Sequence, residues 1–391
     1  MKRITLIQAA AALLLSLSCC NHGIPAFDPS EAAVLTDMSK DKMTHCSIFT
    51  TIGDEFYLAY YLDTMQVEEC PEIPTITAML AKSKWPLDGK IERTVAMSAG
   101  MSCGTFTQDS TRAPYDPNLL KIGDKLMYFF NGCVDGTVVY CVRPYDLKTG
   151  AFEDQAHQCT FSYKGEKKAM NSRNLFALME ELGYDTMFEN DVVMSHRYIE
   201  HDGAYYNVMA NAFSNASKPL VFKTGDGYDF EFVMACGENP AGACEAAFEI
   251  IGDELYLLTR DHFSEDIGNG MYLSKYSLSD GSCLASPIKL TEQTSKGAMI
   301  RRGKKLYAIY NALPDIERNG VGVGRSRLRI ARIAEDCTVA DSLDVIGQYG
   351  IHYPYLDYIG DDIYMTFTED RRDISPVGWT RSNLSIIRLD L

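Results

Sequence analysis

Six phrases of this sequence share a turn glycine, at Gly53, Gly123, Gly203, Gly252, Gly303 and Gly360, and residues able to do chemistry recur at fixed distances from it. Seven residues before the glycine stand Cys46, Asp116, His196, Glu245, Lys296 and Tyr353; one position earlier stand His45, Tyr115, Ser195, Cys244, Ser295 and His352. Eight residues after it stand Tyr61, Asn131, Asn211, Arg260, Asn311 and Thr368. The positions four before and three after the glycine are apolar or aromatic, so the polarity is confined to certain rungs of the pattern. Two carboxylates, an imidazole, an ammonium and a phenol at equivalent positions are a set suited to general acid–base chemistry. Asp116 and Glu245 form the expected catalytic pair, one as acid and the other as base or nucleophile. His196 would orient or tune them, and Lys296 would keep one ionised. His45, Tyr115, Arg197, Arg260, His352 and Tyr353 would complete the lining, with Asn131, Asn211 and Asn311 hydrogen-bonding a ligand's hydroxyls. Arginines in these segments are suited to clamp a carboxylate. The bland alternative is a set of wet strand ends that hydrogen-bond only each other and water.

The elements that must position these residues are strands. FTTIGDEFYLAYY, NLLKIGDKLMYFF, YIEHDGAYYNVMA, FEIIGDELYLLT, MIRRGKKLYAIY and LDYIGDDIYMTF each alternate apolar and polar residues on both sides of a Gly-Asp, Asp-Gly or related tight turn, the signature of a hairpin. A second recurring strand follows each hairpin. Six copies of this paired unit imply an all-β, six-bladed β-propeller, because small sheets of this kind bury their faces only against neighbours. The blades read as roughly 45–85, 115–163, 192–236, 244–290, 295–346 and 352–391, and a degenerate seventh could lie within 140–190. AAVLTDM (32–38) can pair with the last blade and close the ring, which removes an exposed edge. One segment, 172–184, has a helical pattern with Asn171 or Ser172 as cap.

The chain has 391 residues, 46% hydrophobic and 11% aromatic, which excludes a disordered protein. Its formal charge of −16 is spread along the length, which disfavours nucleic acid as a partner. Met1-Lys2-Arg3, an apolar run from Ile4 to Leu17 and Ser18-Cys19-Cys20 read as an export signal. The reading divides the chain into a signal peptide (1–19), a linker (20–31) and one propeller domain (32–391). Ten further cysteines in an exported chain point to disulfides, with Cys236–Cys244 and Cys133–Cys141 the most local pairings and Cys159 a competitor. His45 and His352 open the first and last blades and could share a ligand. No third ligand stands at a recognisable spacing, so no metal and no cofactor is expected. Nothing in the pattern sets an oligomeric state.

The leader resembles that of bacterial lipoproteins, in which a cysteine is lipidated, here Cys19 or Cys20; this implies a membrane anchor at the cell envelope, on the outer membrane. The propeller resembles the sialidase-like propellers and related glycan-processing enzymes over residues 40–391. YDPNLLKIGDKLMYFF is similar to the Asp-Pro first-strand phrase of several propeller glycoside hydrolases, which implies a catalytic role for Asp116. The sialidase Asp-box is absent, with only an echo in SLSDGSCL, which argues against sialic acid as the substrate. The resemblance implies an exported, glycan-acting glycoside hydrolase. Two alternatives stay open: a non-catalytic surface lipoprotein that binds a glycan or protein, and a uronate lyase with Tyr115 or His196 as base.

Overall fold

The computed structural model describes residues 24, 27–36, 40–184, 193–195, 197–211, 218–240, 242–261, 268–318, 320–370 and 382–391. Six sheets of at least four strands each, antiparallel but for one parallel pair in blade 3, follow one another along the chain and close into a ring. The first strand of each sheet is innermost. These strands, starting at Met43, Tyr115, Val193, Ala243, Ala298 and Gly350, touch one another in that order, and the last touches the first. The six-bladed propeller expected from the repeat is therefore the fold. Ala33 pairs with Ile386 and Val34 with Ser385, so the N-terminal strand closes the ring as the outermost strand of blade 6.

The segment 140–190 holds no seventh blade. Its hairpin Thr160–Tyr163 and Glu166–Ala169 joins the outer edge of blade 3, with Thr160–Ser162 running parallel to Asp229–Glu231. The helix Ser172–Glu181 is capped by Asn171, whose side chain accepts from Asn174 N at 2.9 Å. Its Leu175, Leu178 and Met179 fill the space between blades 2 and 3 with Phe129, Phe161 and Phe222. Blade 1 also runs further than expected, since its fourth strand is Glu92–Ser98.

The core lies between blades, as the alternating pattern demands. Tyr57 meets Tyr145 between blades 1 and 2, Phe49 meets Tyr355 between blades 1 and 6, and Val208, Val221, Phe248 and Leu257 pack between blades 3 and 4. Each such buried side chain contributes about 1.5–3 kcal/mol. All ten cysteines of the described residues are free, which corrects the disulfide expectation. The ladder pairs Cys133 with Val138 and Cys141 with Phe130, three rungs apart. That is about 10 Å along the strand, beyond the roughly 7 Å a disulfide can span. Cys236 packs in the core between blades 3 and 4, whereas Cys244 lies on the inner strand of blade 4 opposite Arg260. Most of these thiols serve as small apolar groups.

The turn glycines explain one further departure. In blade 1 the two-residue loop is Gly53-Asp54, with Gly53 first at φ 64°, and the same holds at Gly123, Gly252, Gly303 and Gly360. In blade 3 the loop is Asp202-Gly203, with Asp202 at φ 48° and Gly203 second at φ 75°. Alignment on glycine is therefore one residue out in blade 3, and a one-residue slip exchanges the two faces of a strand. Met194 pairs with Ala210 where blade 1 pairs His45 with Tyr61. Ser195 thus takes the place assigned to His196, and Asn211 lies one rung beyond its assigned place.

Candidate functional site

A shared backbone device aims four side chains at one end of the channel. Cys46, Asp116, Glu245 and Tyr353 have positive φ, at 52°, 49°, 43° and 55°. Each sits where its inner strand slips register against the second strand: between His45 and Ile48, Tyr115 and Asn118, Cys244 and Ala247, and His352 and Tyr355. These are β-bulges, which bend the strand and re-aim the extra residue. A left-handed conformation costs a residue with a Cβ about 1–2 kcal/mol, and such strain persists only where surroundings impose it. Pro117 and Pro354 follow two of the four bulges, where a strand tolerates a missing N–H.

Around the bulges the mouth is densely ionisable and buried. Asp116 is 4% exposed and accepts from Asn131 Nδ2 at 3.0 Å. Its carboxyl is pushed up to about 7, because burial and the negative charge of Glu245 outweigh the pull of Lys296. Glu245 goes the other way. Burial opposes its charge, but Arg260 and Lys296 prevail and hold it at about 2. Arg260 Nη1 donates to Glu245 Oε2 and, at 3.0 Å, to Tyr353 OH. Lys296 is 7% exposed and held above the ordinary lysine range by Cys46, Asp116 and Glu245, against the effect of burial.

The histidines form a second group at the seam between blades 1 and 6. The rings of His45 and His352 lie 5.2 Å apart, and the Tyr353 ring lies 4.2 Å from that of His45, tilted by 55°. His45 Nδ1 is 2.8 Å from Thr368 Oγ1 and its Nε2 is 3.3 Å from Glu69 Oε2. Burial, with Arg325 adding, lowers the imidazole to about 3, so it is neutral at pH 7. Tyr61 OH contacts Glu69 Oε1 and, at 3.1 Å, Cys46 Sγ. His45, Cys46 and Glu69 bring a nitrogen, a sulfur and an oxygen within 4.8 Å of one another, the one such trio among the described residues.

The expected residues thus divide. Asp116, Glu245, Lys296, His45, His352, Tyr115 and Tyr353 line the mouth. Asn131 and Arg260 are there too, but each holds a carboxylate and does not reach outward. Asn311 is structural: its amide donates to the backbone oxygens of Ile351, Arg325 and Arg327 at 2.8, 3.1 and 3.2 Å. Arg197 pairs with Glu249 and, at 3.5 Å, with Asp357. Glu249 is four residues further along the strand than Glu245, roughly 13 Å towards the other end of the channel, so Arg197 ties blades 3, 4 and 6 there. His196, Cys19 and Cys20 lie outside the described residues.

Sequence reasoning missed Glu69 and Arg325. Glu69 belongs to the irregular connection 64–76 of blade 1, which carries no periodic signal. Arg325 stands at the edge of RSRLRIAR, a segment that reads as a half-exposed strand. Residues 327–332 do behave so, with Arg329 paired to Asp344 at 2.6 Å, but Arg325 lies over the Tyr353 ring at 5.7 Å.

No family model matches the sequence, and no curated protein matches it. Solved structures do. A mutant of Trypanosoma rangeli sialidase displaying trans-sialidase activity has a TM-score of 0.57 at 12% identity, over 94% of this chain and 60% of that one. The same organism's sialidase in complex with sialic acid gives 0.55 at 12% identity, over 94% and 57%. Its complex with 2,3-difluoro-KDN gives 0.57 at 11%, over 91% and 58%. The propeller resembles the fold of those structures. This chain spans less than two thirds of those sialidases, and at such identity the likeness is one of fold alone.

Proposed function

We propose that the protein is an exported, lipid-anchored glycoside hydrolase whose active site is the bulge-lined mouth of the propeller. The observation that carries this reading is the contrast between Asp116 and Glu245. They occupy the same backbone position in blades 2 and 4, yet their environments push them apart, to about 7 and about 2. Two carboxyl groups so separated are what glycoside cleavage requires.

In this reading Asp116 keeps its proton near neutrality and donates it to the departing glycosidic oxygen. Asn131 holds the carboxyl in place. Glu245 remains a carboxylate and stabilises the positive charge that develops on the sugar, directly or through Tyr353 OH, until water adds to the anomeric carbon and returns a proton to Asp116. Arg260 is a positioning residue that keeps Glu245 ionised and ties it to Tyr353. The fold shared with structures named as sialidases supports a carbohydrate ligand without choosing the sugar. Elimination with Tyr115 as base fits less well, because burial drives its phenol far above the ordinary range. The leader ending at Cys19-Cys20 supports export and anchoring; a mature protein without lipid on either cysteine would refute that part.

The test is incubation with a panel of plant, algal and host glycans, reading released sugar and unsaturated ends together. Hydrolysis without unsaturated ends is expected, with Asp116→Ala and Glu245→Ala each losing it. Activity intact in both variants would refute the assignment. Retention of a glycan without turnover would make the mouth a binding site.

A further inference from the structure

We propose a zinc-binding site at the channel mouth, formed by His45 Nε2, Cys46 Sγ and a carboxylate oxygen of Glu69, with the fourth position open to the channel. It goes beyond the glycosidase reading and does not depend on it. Donors around a tetrahedral zinc ion with bonds of about 2.0–2.3 Å sit about 3.3–3.8 Å from one another. His45 Nε2 and Glu69 Oε2 already have that spacing, at 3.3 Å. The three donors together lie within 4.8 Å, so closure asks for a shift of about 1 Å, which rotation of the Glu69 or Cys46 side chain can supply.

Neighbouring hydroxyls hold all three donors in place. Thr368 Oγ1 at 2.8 Å holds His45 Nδ1 and so directs Nε2 at the site. Tyr61 OH contacts both other donors, Cys46 Sγ and Glu69 Oε1. The left-handed bulge at Cys46 aims its thiol into the mouth, out of the blade core that other cysteines occupy. The connection carrying Glu69 is anchored as well, since Asp63 accepts from Met65 N at 2.6 Å and from Thr75 Oγ1 at 2.5 Å.

Ligand chemistry selects the metal. A thiolate and an imidazole with one carboxylate suit zinc and exclude magnesium and calcium, which require oxygen shells. The Cys46 thiolate and the Glu69 carboxylate would neutralise the charge of the ion itself, and Glu245 offsets Arg260 nearby. Glu69 has 38% of its side chain exposed while His45 has 4%, so an ion can enter along the channel and find two buried donors. An oxygen of a bound glycan, or water, would fill the open position.

The experiment strips the purified protein with a chelator, titrates it with zinc by calorimetry and with cobalt by absorbance, and needs no glycan. One zinc per chain is expected, with a thiolate-to-cobalt charge-transfer band. The band should vanish in Cys46→Ser and persist in Cys70→Ser. Zinc affinity should fall at least about 100-fold in Glu69→Gln, whose side chain is on the surface and whose metal-free melting temperature should match the wild type. No zinc uptake, a band lost in Cys70→Ser instead, or unchanged affinity in Glu69→Gln would overturn the site. A thiol that keeps its proton and bonds to Glu69 would show as the first of these outcomes. Because uptake is read without substrate, failure of the glycosidase reading would leave this result standing, and the reverse.

Discussion

Asp116→Asn should stabilise the protein in alkaline solution and do little in acid. The Asp116 carboxyl sits at about 7 in the folded chain against 3.8 when unperturbed, because it is buried beside Glu245. A group whose folded pKa is raised binds its proton more tightly when folded. The stability this gives is fully present below the unfolded value and is lost as pH rises through the folded one. The interval corresponds to about 4 kcal/mol of penalty once both states are ionised. By about pH 4.5 roughly 1 kcal/mol has already been lost, so the gain from substitution should grow by about 3 kcal/mol between about pH 4.5 and 8.5. Asparagine keeps the oxygen that accepts from Asn131 Nδ2, so the hydrogen bond at 3.0 Å survives the change. Equilibrium urea unfolding of both proteins at five or six pH values reads the difference directly. A stability difference flat within about 0.5 kcal/mol over that range would refute the claim that Asp116 is held protonated near neutrality.

Other consequences follow from the same contacts. Turnover of a responsive glycan should fall as pH rises through about 7, as Asp116 loses its proton, and Asp116→Asn should cost about 10²–10⁴-fold in kcat with a flattened alkaline limb. Arg260→Met strands the buried Glu245 carboxylate and should cost about 3–5 kcal/mol; Arg260→Met with Glu245→Leu should recover most of it, as read by denaturant midpoints. Acid should weaken the wild type by a separate route, since Glu245, held down at about 2, contributes stability that is present above its unfolded range and is lost as pH falls towards 2; Glu245→Gln should remove that limb of the stability profile. Leu35→Pro removes the N–H that donates to Leu384 O at 2.8 Å where the N-terminal strand closes blade 6, and should lower the melting temperature and promote self-association through the freed edge, measurable by light scattering.

How much of this was legible in the chain can be judged residue by residue. Hairpins announced themselves because an apolar–polar alternation around Gly53, Gly123, Gly252, Gly303 and Gly360 has one low-energy solution, and six copies leave a ring of sheets as the way to bury both faces. Ring closure by 33–34 followed from the same need to cover an edge. The equivalence of Asp116 and Glu245 was also readable, since the repeat places them at one rung. The one-residue shift of blade 3 follows from the Asp-Gly order of its turn, which alignment on the glycine alone conceals. Tertiary structure decided the rest. Asn131, Asn311 and Arg260 turned inward because their neighbours across the ladder and across the channel offered partners that no local window contains. Glu69 comes from an irregular connection and Arg325 from the edge of a charged strand, and both reach the mouth only because the ring brings blades 1, 5 and 6 together there. The split between the two carboxyl groups has the same origin: it arises from burial and from the charges of Arg260 and Lys296, which lie far from Asp116 in sequence and meet it only in the folded channel.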